Sequence, residues 1–280
     1  MERVTFPIRL KDETIDLFGL QLKHDKEKPW IIILPGLDDS ILFYNRLFEN
    51  LRKDLPNWNI LALDLKGQGE TLKQNTKIKD LKVPITYQAS LVKKVLEEQQ
   101  IENCFVIGLS YAGAVSLKVS IECRERVKGL GLIAPYVSNF KAFKKGLQGL
   151  YYHMLSKHPA KRAIAMMGLP FYFSLAKYEN RLNQNILWDD MKLSALSKLT
   201  MGVLEFDTNE EIKKIDSIPK GIHLLCGFDD KVIPITAHKN LYHQIPDSIE
   251  KTFSLEENVG HRIFEEHPDV ASHWISKIVS

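Results

Sequence analysis

The stretch CFVIGLSYAG, residues 104–113, decides how the rest of the chain is interpreted. Apolar residues run up to Gly108, Ser110 follows two positions later, and a helical pattern begins with Ala112 and Gly113. Small residues at such a point are typical of a sharp turn from a buried strand into a helix, which lifts the serine hydroxyl above the carboxyl end of the strand. We therefore interpret Ser110 as a candidate nucleophile. The alternative is a serine that only caps the helix.

Strand-like and helical patterns alternate along most of the chain, which is typical of an α/β fold with a mostly parallel sheet covered by helices on both faces. Apolar runs predict strands at residues 30–34, 60–65, 104–108, 129–134, 222–226 and 251–255. Helices are predicted near residues 41–53, 85–99, 112–123, 236–244 and 268–279. Two weaker strands, near residues 4–10 and 14–22, predict an antiparallel hairpin at one edge.

This alternation stops between residues 138 and 207, where helical patterns dominate and no clear strand is present. We predict that residues 138–207 form a helical cap inserted into a core domain of residues 1–137 and 208–280. The alternative is that these helices belong to the core. A chain of 280 residues has the length for one α/β domain with such an insertion.

A serine hydroxyl needs a base, the base needs an orienting acid, and in strand–turn–helix sites they follow the serine in the order acid, then histidine. The loop GFDDKVIP, residues 227–234, supplies Asp229 and Asp230, of which we favour Asp230; a plain Asp-Asp turn is the alternative. His261 lies in a loop after the last predicted strand and is the predicted base. His267 is the nearest rival, but it lies where a helix begins.

Acyl transfer to a serine also needs two backbone N–H groups that hold the negative oxygen formed during the reaction, an oxyanion hole. Tyr111, the residue after the serine, would supply one of them. The loop LPGLDD, residues 34–39, follows an early strand, and we predict that Leu37 N–H is the second donor. An ordinary Pro-Gly turn is the alternative.

Together these motifs resemble those of the α/β-hydrolase superfamily, and the resemblance spans nearly the whole chain. The matching stretches are LPGL (34–37), DLKGQG (64–69), GLSYAG (108–113), GFDDKVIP (227–234) and NVGHRIFEEHPD (258–269). The sequence departs from the usual pattern at Ala112, where the second glycine of Gly-x-Ser-x-Gly stands, and at Pro35, where many members have histidine. The resemblance implies that the 64–69 run is structural and that a helical cap covers the sheet. Members with an aspartate nucleophile are excluded by Ser110.

The predicted cap is basic on one face and apolar on the other. Residues 138–178 contain no aspartate or glutamate but several lysines and one arginine. Apolar residues recur among them at near-helical spacing, and the predicted substrate-binding residues are Phe143, Leu147, Tyr151 and Met154. The alternative is that the apolar face packs on the sheet while the lysines are solvated.

Two partners are compatible with this basic face. An acidic acyl carrier protein would be attracted to it, as in the carrier-protein methyl-ester hydrolases that the chain resembles. An anionic membrane surface would be attracted equally well, as for a lysophospholipase or a monoacylglycerol lipase. The sequence leaves both open, with the small-molecule or lipid acyl ester as the substrate in either case.

The resemblance implies a serine hydrolase that cleaves a carboxylic ester of a mid- to long-chain acyl group through an acyl-enzyme. A thioesterase or acyltransferase is an alternative, and so is a non-catalytic ligand-binding protein of the same fold. No cofactor or metal is implied.

Composition narrows the remaining possibilities. The net charge of +3 does not indicate nucleic-acid binding. The sequence has three cysteines without metal-type spacing, and its longest apolar run, residues 30–37, is too short to cross a bilayer. We predict a soluble, cytoplasmic protein without a signal peptide.

Overall fold

An eight-stranded sheet forms the centre of the structure, a computed structural model that describes residues 1–10, 13–25, 27–75, 83–138 and 190–280. The strands are β1 (Glu2–Leu10), β2 (Glu13–Leu22), β3 (Trp30–Leu34), β4 (Asn59–Leu63), β5 (Cys104–Leu109), β6 (Val127–Ile133), β7 (Ile222–Gly227) and β8 (Lys251–Glu256). Their order across the sheet is β1-β2-β4-β3-β5-β6-β7-β8. The pairs β1–β2 and β2–β4 are antiparallel and all other neighbours are parallel. The predicted α/β fold is therefore confirmed.

Helices cover both faces of this sheet. Those that the structure describes are α1 (Asn45–Asp54), α2 (Gly69–Gln74), α3 (Ile85–Glu98), α4 (Tyr111–Glu122), α5 (Asp190–Leu204), α6 (Thr208–Ile212), α7 (Ile235–Gln244), α8 (Ile263–Glu266) and α9 (Pro268–Val279), with a 3₁₀ turn at Ile41–Phe43. Successive side chains of β3 alternate between two hydrophobic clusters because strand side chains point to opposite faces. Ile32 lies in the cluster that also contains residues of α3, α4 and α7, whereas Ile31 and Ile33 lie in the cluster that contains residues of α1 and α9.

The helix α5 belongs to the segment that the sequence analysis assigned to the cap. Its residues Leu199 and Val203 are buried in the hydrophobic cluster that contains α3 and α4. The segment that leads into α3 also meets α5 at Val83, whose N–H donates to Lys198 O at 3.0 Å. Residues 139–189 lie outside the described residues, so the boundaries of the cap, 138–207, stay a prediction.

The three cysteines, Cys104, Cys123 and Cys226, are free and buried. Burial raises the pKa of the Cys104 thiol to about 12 and that of Cys123 to about 11, and it also raises that of Cys226. These side chains therefore act as small apolar groups in the core. Across the ranges described above, no helix is both long enough and apolar enough to cross a membrane.

Candidate active site

Ser110 lies in a strained turn between β5 and α4. Its backbone has φ 52° and ψ −113°, a conformation that a residue with a side chain adopts only when its surroundings hold it there. Ser110 N–H donates to Ile133 O at 2.9 Å, and Ser110 O accepts from Gly113 N–H at 2.9 Å and from Tyr136 N–H at 3.0 Å. These three bonds fix the turn from both sides.

Gly108 is required by the close approach of the helix to the strand. A Cβ atom at this position would lie 2.3 Å from Ala112 O and 2.4 Å from Ser116 Oγ. Any side chain would therefore push α4 away from the end of β5 and open the turn. The side chain of Ser110 makes no capping hydrogen bond to α4, which argues against the alternative that this serine only caps the helix.

A hydrogen-bonded chain links Ser110 to two loops at the same edge of the sheet. His261 Nε2 lies 2.8 Å from Ser110 Oγ, and His261 Nδ1 lies 2.8 Å from Asp230 Oδ2. The side chains of His261 and Asp230 are 6% and 1% exposed, so water does not compete for these bonds. The structure thus brings together the three residues that the sequence analysis selected.

Asp230 is held as a carboxylate. Burial raises its pKa, but the charge and hydrogen bond of His261 and the amides of Ile233 and Val232 outweigh burial, so that its pKa lies below the ordinary range. Both amides donate to Oδ1, at 3.0 and 2.8 Å, which leaves Oδ2 to accept from His261 Nδ1–H. The neighbouring Asp229 is exposed, and within the described residues the carboxylate that His261 Nδ1 meets is that of Asp230.

The loops that carry the two predicted oxyanion donors emerge side by side. Leu34 at the end of β3 pairs with Gly108 near the end of β5, and the two strands are parallel. Leu37 and Tyr111 follow these strand ends by a few residues. In the described part of the chain, neither amide donates a hydrogen bond to another protein group. Both are therefore available to a ligand.

The run 64–69, which the resemblance marked as structural, anchors the Leu37 loop at its far end. Asp64 Oδ1 accepts from Ile41 N–H at 2.8 Å, and Oδ2 accepts from Ser40 Oγ–H at 3.0 Å and from Glu70 N–H at 2.9 Å. Burial raises the pKa of Asp64 to about 6, although these three donors lower it. Gly69 has φ +46° and a Cβ there would lie 2.0 Å from Asp64 Oδ2, so glycine is required beside this carboxylate.

Two buried side chains near the site escaped the sequence analysis. Gln68 is 1% exposed, and its Nε2–H donates to Gly36 O in the Leu37 loop at 2.5 Å. His238 on α7 is buried with Nε2 3.2 Å from Pro135 O, and burial lowers its pKa to about 4. Gln68 lies in the run that the resemblance marked as structural, but no sequence pattern indicated the partner of either side chain, because only the tertiary structure brings each beside its carbonyl.

A cavity of about 400 Å³ opens beside the candidate base. Residues of the Asp230 and His261 loops line it, and both acidic and basic side chains are among them. The lining residues are Asp229, Lys231, Val232, Asn258, Gly260, His261, Arg262, Glu266 and His267. The predicted substrate-binding residues Phe143, Leu147, Tyr151 and Met154 lie outside the described residues. Within the described ranges, no cluster of three or more His, Cys, Asp and Glu side chains has the arrangement of metal ligands.

The chain is similar to known hydrolases in sequence. Residues 25–268 match the model of a family described as Hydrolase_4, serine aminopeptidase S33. An uncharacterized hydrolase of Bacillus subtilis strain 168, YugF, is 23% identical over 95% of this chain and 96% of its own. A Mycoplasma pneumoniae protein with the provisional name esterase/lipase 2 is 23% identical over 85% of this chain and 84% of its own.

Solved structures share the fold. The α/β hydrolase MGS-M2, from a Medee basin deep-sea metagenome library, is 18% identical with a TM-score of 0.76 and is aligned over 99% of this chain and 97% of its own. A thermophilic esterase from Thermogutta terrifontis is 15% identical with a TM-score of 0.71, and the alignment covers 100% of both chains. Because the family model matches most of its length, this chain belongs to the Hydrolase_4 family (serine aminopeptidase, S33) of α/β hydrolases.

Proposed function

We propose that this protein is a serine hydrolase that cleaves carboxylic esters through an acyl-enzyme. Ser110 is the nucleophile, His261 is the base and then the acid, and Asp230 orients the imidazole. The observation that carries this proposal is the unbroken chain of two 2.8 Å hydrogen bonds from Ser110 Oγ through His261 to Asp230 Oδ2. Such a chain is the arrangement that activates a serine hydroxyl.

In the first half of the reaction, Ser110 Oγ attacks the ester carbonyl carbon while its proton passes to His261 Nε2. The carbonyl oxygen becomes negative and is held by Leu37 N–H and Tyr111 N–H. The C–O bond to the alcohol then breaks as His261 Nε2–H donates its proton to the leaving oxygen. The acyl group remains bound to Ser110 Oγ, and the alcohol is released.

Water completes the reaction by the same steps. His261 Nε2 takes a proton from the water as its oxygen attacks the acyl carbon, and the proton returns to Ser110 Oγ when the acid leaves. Asp230 stays ionised throughout because its pKa lies below the ordinary range, so it stabilises the imidazolium at each stage. A thioester substrate would give the same acyl-enzyme with a thiol as leaving group, and an acyltransferase would result if another nucleophile replaced water.

The ester substrate is favoured by the relatives. The Mycoplasma pneumoniae protein is named as an esterase/lipase and the Thermogutta terrifontis protein as an esterase. The family description names a serine aminopeptidase, which would cleave an amide with the same three residues. A direct comparison of p-nitrophenyl esters with amino-acid p-nitroanilides separates these two substrate classes.

The finer parts of the proposal rest on sequence. A mid- to long-chain acyl group is proposed from the apolar face of residues 138–178, and an acyl carrier protein or an anionic membrane surface from its basic face. The cytoplasmic location is proposed from the three free, buried cysteines, which suit a reducing compartment.

A fluorophosphonate probe followed by intact-mass measurement tests the activated serine. We expect one adduct on the wild type and none on Ser110→Ala, because only a serine with a base beside it attacks phosphorus at a useful rate. Turnover of p-nitrophenyl esters from acetate to palmitate would then define the acyl length. An unlabelled wild type, under conditions that label a control serine hydrolase, would contradict the proposal and favour a ligand-binding protein.

A further inference from the structure

The direction of the Leu37 amide depends on the carbonyl before it. In a trans peptide the C=O of one residue and the N–H of the next point in opposite directions, and the described residues contain no cis peptide bond. Whatever holds Gly36 O therefore also sets where Leu37 N–H points. Glycine restricts its own backbone least of all residues, so this peptide needs an external restraint.

Two donors hold Gly36 O. One is local, the Asp39 N–H at 3.2 Å, which closes a turn within the loop itself. The other is Gln68 Nε2–H at 2.5 Å, which comes from the separate 64–69 run and is buried with it. The local bond can move with the loop, whereas the Gln68 bond ties the peptide to the sheet through β4.

The other half of the Gln68 amide, its Oε1 atom, supports a specific role for the Nε2 donor. Gln68 Oε1 is buried and has no hydrogen-bond partner within the described residues. A buried acceptor without a partner destabilises the folded protein, so an apolar side chain of similar length would serve packing better. The amide cannot turn over to satisfy Oε1, because that would place it against Gly36 O.

We infer that Gln68 is a positioning residue of the oxyanion hole, which aims Leu37 N–H by holding Gly36 O. The inference rests on the proposed function, because it needs a reaction in which a negative oxygen forms above Ser110. With Asp64 bound to Ser40 and Ile41 at the other end of the loop, the 64–69 run holds the loop on both sides of Leu37.

The test compares Gln68→Met, which removes the donor, with Gln68→Glu, which donates only when protonated. For Gln68→Met we expect kcat on p-nitrophenyl butyrate to fall by about tenfold or more, up to the roughly 10²–10³ that complete loss of an oxyanion donor costs, with KM within threefold, because Leu37 N–H remains but is no longer held in place for the transition state. Affinity for a boronic acid, which forms a tetrahedral anion on the serine, should fall in parallel. For Gln68→Glu we expect a deficit relative to wild type that shrinks as the pH falls.

Asn59→Leu is the matched control for lost stability. Asn59 is a fully buried amide at the start of β4, hydrogen-bonded to residues 24, 25 and 28 at the edge of the sheet where β4 begins. Its loss should lower the melting temperature and leave kcat and boronate affinity within threefold. A purely structural role for Gln68 would make Gln68→Met behave in the same way.

The outcomes separate the two proposals. If the wild type turns over the ester and Gln68→Met keeps its kcat and boronate affinity within threefold, the inference is wrong and the proposed function stands. Equal, pH-independent losses in Gln68→Met and Gln68→Glu would also reject it, because the donor would then be irrelevant. If wild type and Ser110→Ala do not differ in turnover, the proposed function fails and the inference fails with it.

Discussion

Two buried aspartates at the same edge of the sheet have opposite pKa shifts. Asp64 follows β4 directly and Asp230 follows β7 by three residues. Burial raises the pKa of both carboxyls, and both accept hydrogen bonds from two backbone amides. The pKa of Asp64 nevertheless lies at about 6, while that of Asp230 lies below the ordinary range.

The difference comes from the remaining partner. Asp230 faces His261, a ring that can carry a positive charge, whereas the remaining donor to Asp64 is the neutral Ser40 hydroxyl and the nearby charge of Asp39 is of the same sign. Neutral hydrogen-bond donors do not fully replace the stabilisation that water gives to an exposed carboxylate, whereas a cationic partner does. Neither the burial of an aspartate nor the number of its hydrogen bonds therefore distinguishes the proposed catalytic Asp230 from the structural Asp64. The charge that the partner of the carboxylate can carry does distinguish them.

The strongest test of this comparison substitutes each aspartate by asparagine. Asp230→Asn should lower kcat by about 10⁴, because asparagine favours the wrong imidazole tautomer and leaves the imidazolium without a counter-charge. Asp64→Asn should lower kcat by about tenfold or less, because it alters only the support of the loop. Steady-state rates on one p-nitrophenyl ester, with circular dichroism to verify folding, would measure both. Similar losses of kcat in the two variants would contradict the different roles assigned to Asp64 and Asp230.

A smaller effect tests whether Asp64 depends on its close packing against Gly69. Gly69→Ala should destabilise the protein by about 2–4 kcal/mol, since the new Cβ would overlap the carboxylate and the backbone conformation is left-handed. Gly260→Ala, where the nearest atom would be 3.8 Å away, is the matched control and should cost about 1 kcal/mol or less. Urea unfolding measures the loss of stability in both variants. Equal losses would show that the Asp64 side chain can move aside to make room for the new Cβ atom.

The smallest effect concerns the pH dependence of stability. Because the folded pKa of Asp64 is raised from 3.8 to about 6, its contribution to the free energy of unfolding is present below pH 4 and is lost as the pH rises to about 6. Asp230 has the opposite sign: its contribution is present above its unfolded pKa and is lost as the pH falls through the lower folded pKa.

Urea unfolding between pH 3 and 7 would separate these contributions. Relative to wild type, Asp64→Asn should gain stability as the pH rises from about 4 to 6, by no more than about 3 kcal/mol. Asp230→Asn should lose stability relative to wild type as the pH rises through the range below the ordinary aspartate pKa of 3.8, with the change nearly complete just above it. Slopes of the same sign in the two variants would contradict the assigned pKa directions.

The sequence was sufficient for the regular parts of the fold because those parts depend on local patterns. The apolar runs of β3, β5 and β7 and the helical periods of α3 and α9 predicted these elements to within two residues at each end. The short helices α2 and α8, of six and four residues, were missed because so few residues show no period.

The candidate site was predictable only where chain order carries the information. Ser110, Asp230 and His261 each follow a strand in a fixed sequence, so their meeting could be anticipated. The contacts of Asp64 with Ser40 and of Gln68 with Gly36 join segments that no pattern links. They depend on β4 lying next to β3, which only the assembled sheet determines.

The three buried thiols have a consequence for the chemistry of the intact molecule. The thiolate is the form of cysteine that reacts with oxidants and alkylating agents, and burial, which raises the pKa of the Cys104 thiol to about 12, keeps this thiol protonated at pH 7. Cys226, at the base of the Asp230 loop, is fully buried as well. These sulfurs can therefore be modified only after the structure has opened locally. The rate of their modification would then report how often the structure opens and not the intrinsic reactivity of the thiols.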